Sequence, residues 1–311
     1  MANCVCDSVT LSNTGTPNCI SIGGVSYKLW IQRKYDSTGA RNYIDTTATL
    51  DSTFFTDLLN AGRSGATNTD SLQRIFPTQP LKNVEDIRAE DITESFNDGS
   101  VTPIQQGSRT FSAIMIEAVS PTLLGKYEGF KCEDIQVYVI DVNGRIGGNN
   151  EEDGKLYGLD IESGTFSPKW MKPTDTTVSK IQLDYTYSKA EQDSNLAWIE
   201  PSETSVDAED LKGLLDVTAG AATSISTTGF VTELTYDYGT AVTKQKFKGA
   251  VLADFALYNE TTTSSVTVTS VTESPDGTYT FVIPAQTSAD VLTLSLSKDG
   301  FEMTDLTVTI P

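Results

Sequence analysis

Apolar and polar residues alternate with a period of two along much of this chain, the pattern that a half-buried β-strand requires. Residues 25–35 (VSYKLWIQRKY) alternate in this way and end in the turn Asp36-Ser-Thr-Gly39. The alternation returns at 91–96, 100–104 and 108–117, and Asn97-Asp98-Gly99 between the first two of these predicts a tight hairpin. Further strands are expected at 133–141, 156–161 and 181–187, with Trp198 closing the region. One stretch changes period: Phe54, Phe55, Leu58 and Leu59 follow a cap at Asp51 or Ser52 and precede Gly62, which predicts a short amphipathic helix. Residues 84–91 are open to a further helical turn, and Pro77 and Pro80 mark the stretch before them as loop.

Residues 142–155 are polar and glycine-rich and read as a solvated loop or as an arm that docks on a neighbour. Residues 1–25 read as an extended arm, with Val9, Leu11, Ile20 and Ile22 as its few apolar positions. Arm and loop are both expected to become ordered only in an assembly, because neither carries enough apolar surface to fold on its own subunit. Pro201-Ser-Glu-Thr-Ser205 breaks the pattern, so 201–213 is the expected linker. Beyond it, strands are predicted at 229–238, 243–248, 251–258, 264–272, 278–283, 291–297 and 304–310. Short strands at spacings of roughly ten residues predict a β-sandwich able to close its own core, so 214–311 is expected to fold alone.

Composition narrows the chemistry. Lys plus Arg number 22 against 42 Asp plus Glu, a formal charge of −20, which repels nucleic-acid phosphate. There is no histidine in the 311 residues. That removes the Ser-His-Asp triad, the Cys-His dyad and His-ligated zinc, and leaves paired carboxylates, a lysine or a cofactor as routes to catalysis. The expectation is therefore a protein that is not an enzyme, with no catalytic, cofactor-binding or metal-binding residues. No run of about 18 apolar residues occurs, and Met1–Asp7 lack the features of a signal peptide, so neither a membrane anchor nor export is expected.

Several side chains invite a sharper reading. Cys4, Cys6 and Cys19 form a set of three thiols; Cys4 and Cys6 have only Val5 between them, closer than a metal-binding turn usually allows. They are expected to be free thiols that pack as small apolar groups, with Cys132 the fourth cysteine. Asp141-Val-Asn-Gly-Arg145 and Asn149-Asn-Glu-Glu-Asp-Gly154 resemble calcium loops in composition but lack the EF-hand spacing. Lys244, Lys246 and Lys248 fall on one face of a strand, either to guard an edge or to dock an acidic partner. Trp30, Trp170 and Trp198 serve as core and interface anchors or, alternatively, as platforms for stacking a sugar.

The C-terminal third, through Tyr236-Asp-Tyr-Gly-Thr240, Lys248–Phe255, Val271–Tyr279 and Leu294–Phe301, resembles the immunoglobulin-like domains appended to bacterial and phage surface and virion proteins. Phe255, Tyr279 and Phe301 would anchor its core, and Pro275-Asp-Gly277 its tight turn. The remainder resembles a tailed-phage tail tube subunit in its order of strand, helix, long loop and paired strands, carried by Glu94–Ser100, Gln106–Phe111 and Ile181–Tyr187. The two resemblances imply a mainly β chain: an extended arm at 1–25, a tail-tube-like β-sandwich or barrel with one short helix at 26–200, a linker at 201–213 and an immunoglobulin-like β-sandwich at 214–311. They imply a virion structural protein made in the host cytoplasm, a ring-forming subunit of a tail tube or tail connector. Its partners would be copies of itself, six to a ring, and neighbouring tail or capsid proteins, with DNA only as passing cargo. Edge strands of adjacent subunits would pair or pack to close the ring, and the acidic excess would lie on the lumen or outer face, so that assembly tolerates salt. A capsid decoration protein or a glycan-binding adhesin is the alternative.

Overall fold

A computed structural model describes residues 23–63, 66–117, 119–151, 153–191, 193–240, 242–274 and 277–311. The Cys4, Cys6 and Cys19 set, the apolar positions of the arm, and Pro275 and Asp276 of the C-terminal turn lie outside them. The chain is mainly β and forms two compact units, each made of two chain segments: residues 23–52 with Pro77–Leu211, and Thr53–Phe76 with Lys212–Pro311. No helix among the described residues is long and apolar enough to cross a membrane.

In the first unit, one sheet runs in the order Tyr43–Asp45, Lys155–Tyr157, Ile146–Asn150, Ile135–Asp141, Ser26–Arg33. Its centre, Ile135–Asp141, is buried along its whole length. It pairs antiparallel with Ser26–Arg33, which sets Leu29 against Val139 and Ile31 against Val137. A second sheet has four strands in the order Ser167–Met171, Lys180–Thr186, Arg109–Met115, Leu81–Arg88. Strict alternation buries Phe111, Ala113, Met115, Ile181, Leu183 and Tyr185 on one face. The other face carries a polar cluster, in which Asp184 accepts from Ser112 Oγ at 2.7 Å, Gln182 Nε2 at 2.7 Å and Lys169 Nζ at 2.6 Å. Burial alone would raise the Asp184 carboxyl; these three bonds outweigh it and hold the group below its usual range.

Several expectations change here. Residues 84–91 are not helical, because Leu81–Arg88 is a strand against Arg109–Met115. A second helix, Pro121–Glu128, is present, with Ser120 accepting from Leu123 N and proline in its first turn. Residues 142–155 are not a solvated loop: Ile146–Asn150 is a strand buried at Ile146, Gly147, Gly148 and Asn149. The glycine pair lets neighbours approach closely, since a Cβ on Gly147 would overlap the Trp198 indole and one on Gly148 the Tyr157 carbonyl. Nor are residues 201–211 a bare linker. Lys28 Nζ donates to the carbonyls of Glu209 and Leu211, Ser205 N donates to Leu50 O at 3.2 Å, and Ala208 is buried.

The second unit is a two-sheet sandwich. One sheet runs Ser270–Glu273, Thr278–Val282, Gly229–Gly239, Leu215–Ala219, Phe301–Met303; the other runs Ser264–Val266, Phe255–Asn259, Val291–Leu296, Leu306–Thr309. Between them lie Phe230, Leu234, Phe247, Tyr279, Phe281, Leu292 and Leu294. Phe230 stacks on Phe281 at 4.9 Å, and Phe255, one of the three expected anchors, meets Phe281 edge-on at 5.0 Å. Tyr279 is fully buried, while Phe301 packs at the margin against Phe247 at 5.1 Å.

The predicted helix exists as Ser52–Asn60 with Phe55 and Leu59 buried, but the Thr53–Phe76 segment belongs to this second unit and not to the first. Two arginines fasten the segment. Arg63 Nη2 donates to Leu296 O and Lys298 O at 3.0 Å each. Arg74 grips Glu302 bidentately at 2.5 and 2.9 Å and donates to Ala61 O at 2.8 Å. The sandwich is therefore completed by residues lying well over a hundred positions upstream. We expect the fragment 212–311 to melt at least about 10 °C below the same unit in the full chain, from the loss of these bonds and of the apolar burial at Phe55 and Leu59. Arg74→Met in the full chain should lower the unit's stability by about 1–3 kcal/mol. Differential scanning calorimetry measures both, and equal melting of fragment and full-chain unit would show that the segment is dispensable.

Candidate assembly interface

The four-stranded sheet ends in two edges, Leu81–Arg88 and Ser167–Met171, and no further strand among the described residues pairs with the outer side of either. The Leu81–Arg88 edge does not stop with the sheet. Its ladder with Arg109–Met115 continues through Ala89 N to Ser108 O at 2.8 Å. The same two chain segments then form a second antiparallel pair, Ile92–Ser95 with Val101–Gln105. Gly107 makes the junction possible, because a Cβ there would overlap the Ala89 carbonyl oxygen, and its N–H is taken by Asp91 Oδ1 at 2.9 Å.

At the tip the predicted turn forms. Phe96 N donates to Ser100 O at 2.8 Å, Gly99 adopts φ 83°, and Asp98 accepts from both Ser100 N and Ser100 Oγ, which holds its carboxyl below the usual range. Every residue of the two strands is exposed. The side chains are not those of a solvated ribbon: Ile92 is 54% exposed, Phe96 47%, Val101 58% and Ile104 62%, with Ile87 at the root 56% exposed. Glu94 faces Thr102 and Ser95 faces Val101, so alternation places Ile92, Glu94 and Phe96 on one face.

The root is fixed ionically. Arg109 holds Asp86 through two bonds of 2.6 Å, Arg88 reaches Asp193 at 2.9 and 3.0 Å, and Arg109 also touches Asp193 at 3.2 Å. The Arg109 guanidinium lies 4.7 Å from the Tyr187 ring centre. Burial pushes the Tyr187 hydroxyl well up, aided by the Asp86 charge, so it stays protonated and within 3.4 Å of Asp86 Oδ2. Beside the root lies a cleft of about 350 Å³ between the two sheets, lined by Val25, Val84, Val139, Leu159, Leu196 and Trp198.

The other side chains singled out in the sequence do not converge on this edge or on one another. Asp141 is fully buried and closes the hairpin between Ile135–Asp141 and Ile146–Asn150. It accepts from Asn143 N at 2.8 Å, Arg145 N at 2.9 Å and Gly24 N at 2.8 Å, with the Arg145 guanidinium at 3.4 Å. Donors thus occupy the oxygens that a calcium ion would need. Burial would raise this carboxyl, but the backbone bonds prevail and hold it below its usual range. Asp153 is occupied likewise, by Lys155 N and by Tyr157 Oη at 2.7 Å, and Glu151 by Arg41 at 3.0 Å; Glu152 lies outside the described residues.

Lys244 and Lys246 sit on a short strand paired to Gly229–Gly239, 3.7 Å from Asp237 in one case and ion-paired to Glu233 in the other, so neighbouring carboxylates already meet two of the three stripe residues, Lys248 being the third. Trp30 is buried in the core, Trp170 lies half-buried on the Ser167–Met171 edge, and Trp198 packs on Gly23 and Gly147. The three indoles share no platform. Cys132 is exposed. The exposed apolar ribbon was legible only in part: its hairpin followed from Asn-Asp-Gly, but nothing in the alternation says that both faces are left in water.

No protein-family model matches the sequence, and no curated protein matches it. Among solved structures, the N-terminal part of the bacterial S-layer protein SbsC is similar over 31% of this chain and 24% of that one, at 19% identity and a TM-score of 0.24. A likeness of that size carries no conclusion.

The Asp141 hairpin generates an acid-stability prediction. A carboxyl depressed in the folded state contributes stability that is complete above its unfolded value, near pH 4, and is lost as pH falls through its lower folded value. Asp141→Asn should cost about 1–3 kcal/mol at pH 7, because an amide N–H₂ would confront either the Gly24 N–H or the pair from Asn143 and Arg145. The variant should also lose stability less steeply than the native chain below pH 4. Urea titrations at pH 7 and pH 3 measure both; an unchanged pH slope would assign the acid sensitivity elsewhere.

Proposed function

We propose that this chain is a ring-forming structural subunit of a virion, assembling with copies of itself as the subunits of a bacteriophage tail tube or tail connector do, with DNA as passing cargo. The observation that carries the reading is the exposed ribbon Ile92–Gln105 on an open sheet edge. A two-stranded hairpin is marginal in water by itself, and one that holds Ile92, Phe96, Val101 and Ile104 in solvent gains most when another surface covers it. Two outer strands of one sheet that no further described strand pairs with, one of them, Ser167–Met171, packed against helix Pro121–Glu128, supply the matching geometry, since a subunit that offers two different edges can join head to tail and close.

The charge of −20 agrees with a passage role, in which DNA is repelled from the walls and slides without sticking. The resemblance in element order between residues 26–200 and tail tube subunits gives the reading its virion context. Assembly on this view is noncovalent and geometric.

Negative-stain electron microscopy and light scattering of the purified full chain should show rings or short tubes. Phe96→Asp with Ile104→Asp should raise the concentration needed for assembly at least about tenfold while leaving the subunit's melting temperature nearly unchanged, because both side chains are exposed. A chain that stays monomeric at tens of micromolar and binds immobilised glycans would support the adhesin reading instead.

A further inference from the structure

The two open edges of the four-stranded sheet carry opposite charge. From Leu81 to Gln105, the edge strand and its hairpin, there are six carboxylates against two cations. From Ser167 to Lys180, the opposite edge and the loop after it, there are three lysines against one aspartate. In a chain of net charge −20 a locally basic segment is unusual, and this one lies on the far edge of the sheet whose other edge is acidic. Both edges also hold apolar side chains in water: Ile87 and Ile92 on the acidic side, Met171 at 41% and Val178 at 62% exposure on the basic side.

We infer that the acidic edge, Glu85, Glu90 and Glu94 with Ile87 and Ile92, docks on the basic edge of a second copy, Lys169 and Lys172 with Met171 and Val178, together with Lys180 at the end of the adjoining strand opposite Met171; Lys169 also holds Asp184 of its own subunit, so Lys172 and Lys180 carry most of the attraction. This rests on the self-assembly proposed above and adds its polarity: the contact is head to tail, with one edge type always meeting the other. Like edges repel, so the isologous dimer that two identical open edges would otherwise form is disfavoured. Neither edge offers a long regular ladder. Asn83 sits at φ 49° in a bulge that shifts the register between Lys82 and Glu85, and Pro168 lacks an N–H. Side chains therefore set the specificity of the contact, and backbone pairing is confined to Glu85–Arg88 and Lys169–Met171. Carboxylates enter this interface only opposite lysines, which keeps the rest of the acidic excess away from it, and the salt tolerance expected from the sequence becomes a moderate dependence on salt.

Charge reversal tests the polarity. Glu85→Lys with Glu94→Lys makes both edges basic, and Lys172→Glu with Lys180→Glu makes both acidic. Each double variant alone should need at least about tenfold more protein to assemble than the native chain, with the difference shrinking between 0.05 and 0.5 M salt as screening sets in. A one-to-one mixture of the two should assemble near the native concentration, because each then meets an edge of opposite sign. The fourfold variant, with both edges inverted, should assemble as the native chain does. All four positions are read out by sedimentation velocity and microscopy on the full chain, with circular dichroism confirming that each variant is folded. If the native chain forms rings and neither double variant changes the concentration required, or the mixture fails while each variant is folded, this polarity is wrong and the self-assembly reading stands. A native chain that never assembles overturns both.

Discussion

An edge strand leaves alternate backbone N–H and C=O groups without a partner, and in water that row is both a cost and a template. In this chain the constraint falls on one sheet. Its interior strands, Lys180–Thr186 and Arg109–Met115, are paired on both sides and bury an aromatic face in which Phe111 stacks on Tyr185 at 4.8 Å. Among the described residues its outer strands have one strand partner each. The bulge at Asn83 and the proline at Pro168 are the devices by which soluble sheets blunt such rows, and here they shorten the template without removing it. The ionic root at Arg109, Asp86, Arg88 and Asp193 then fixes the direction in which the hairpin leaves the sheet. A flexible ribbon would lose more entropy on being captured than a fixed one, so the root lowers the cost of any contact made at the tip.

Strands with strict alternation were legible in the sequence. Ser26–Arg33, Arg109–Met115, Ile135–Asp141 and Lys180–Thr186 all appear within about two residues of where the period of two places them. The helix Ser52–Asn60 followed from its apolar spacing and from Gly62, which adopts φ 74°. What failed has identifiable physical causes. Ile146–Asn150 is buried through glycine, whose use in a strand is to admit a neighbour, and a pattern of apolar side chains cannot register a residue that has none. Leu215–Ala219 (LDVTA) alternates, but it is short and directly follows the expected linker, and Thr223–Ser226 is built mostly of serine and threonine, which give little contrast between faces. Pro121–Glu128 has a weakly sided helix surface with only Tyr127 buried, so its period was faint.

The interface is less legible than the fold for a different reason. Alternation says which residues share a face but not whether that face is covered. In Lys180–Thr186 and in the Ile92–Gln105 hairpin the sequences look comparably apolar, yet one is half buried and the other wholly exposed. The distinction lies in strand order, a long-range property. The same holds for charge: Glu85 and Lys172 are unremarkable surface residues until the topology sets them at opposite ends of one sheet.

The Thr53–Phe76 segment changes how the second unit can have arisen and how it can be exchanged. A terminal domain joined by a single linker is gained or lost in one recombination event. This sandwich is closed by Arg63 and Arg74 from a stretch that interrupts the first unit, so the polypeptide passes between the two units three times. A single crossover upstream of Lys212 would deliver a sandwich without its fastening and would leave Thr53–Phe76 in the recipient without its partner. The two units are thereby bound to evolve as one gene segment, with substitutions at Glu302 answerable to a residue encoded more than two hundred codons earlier.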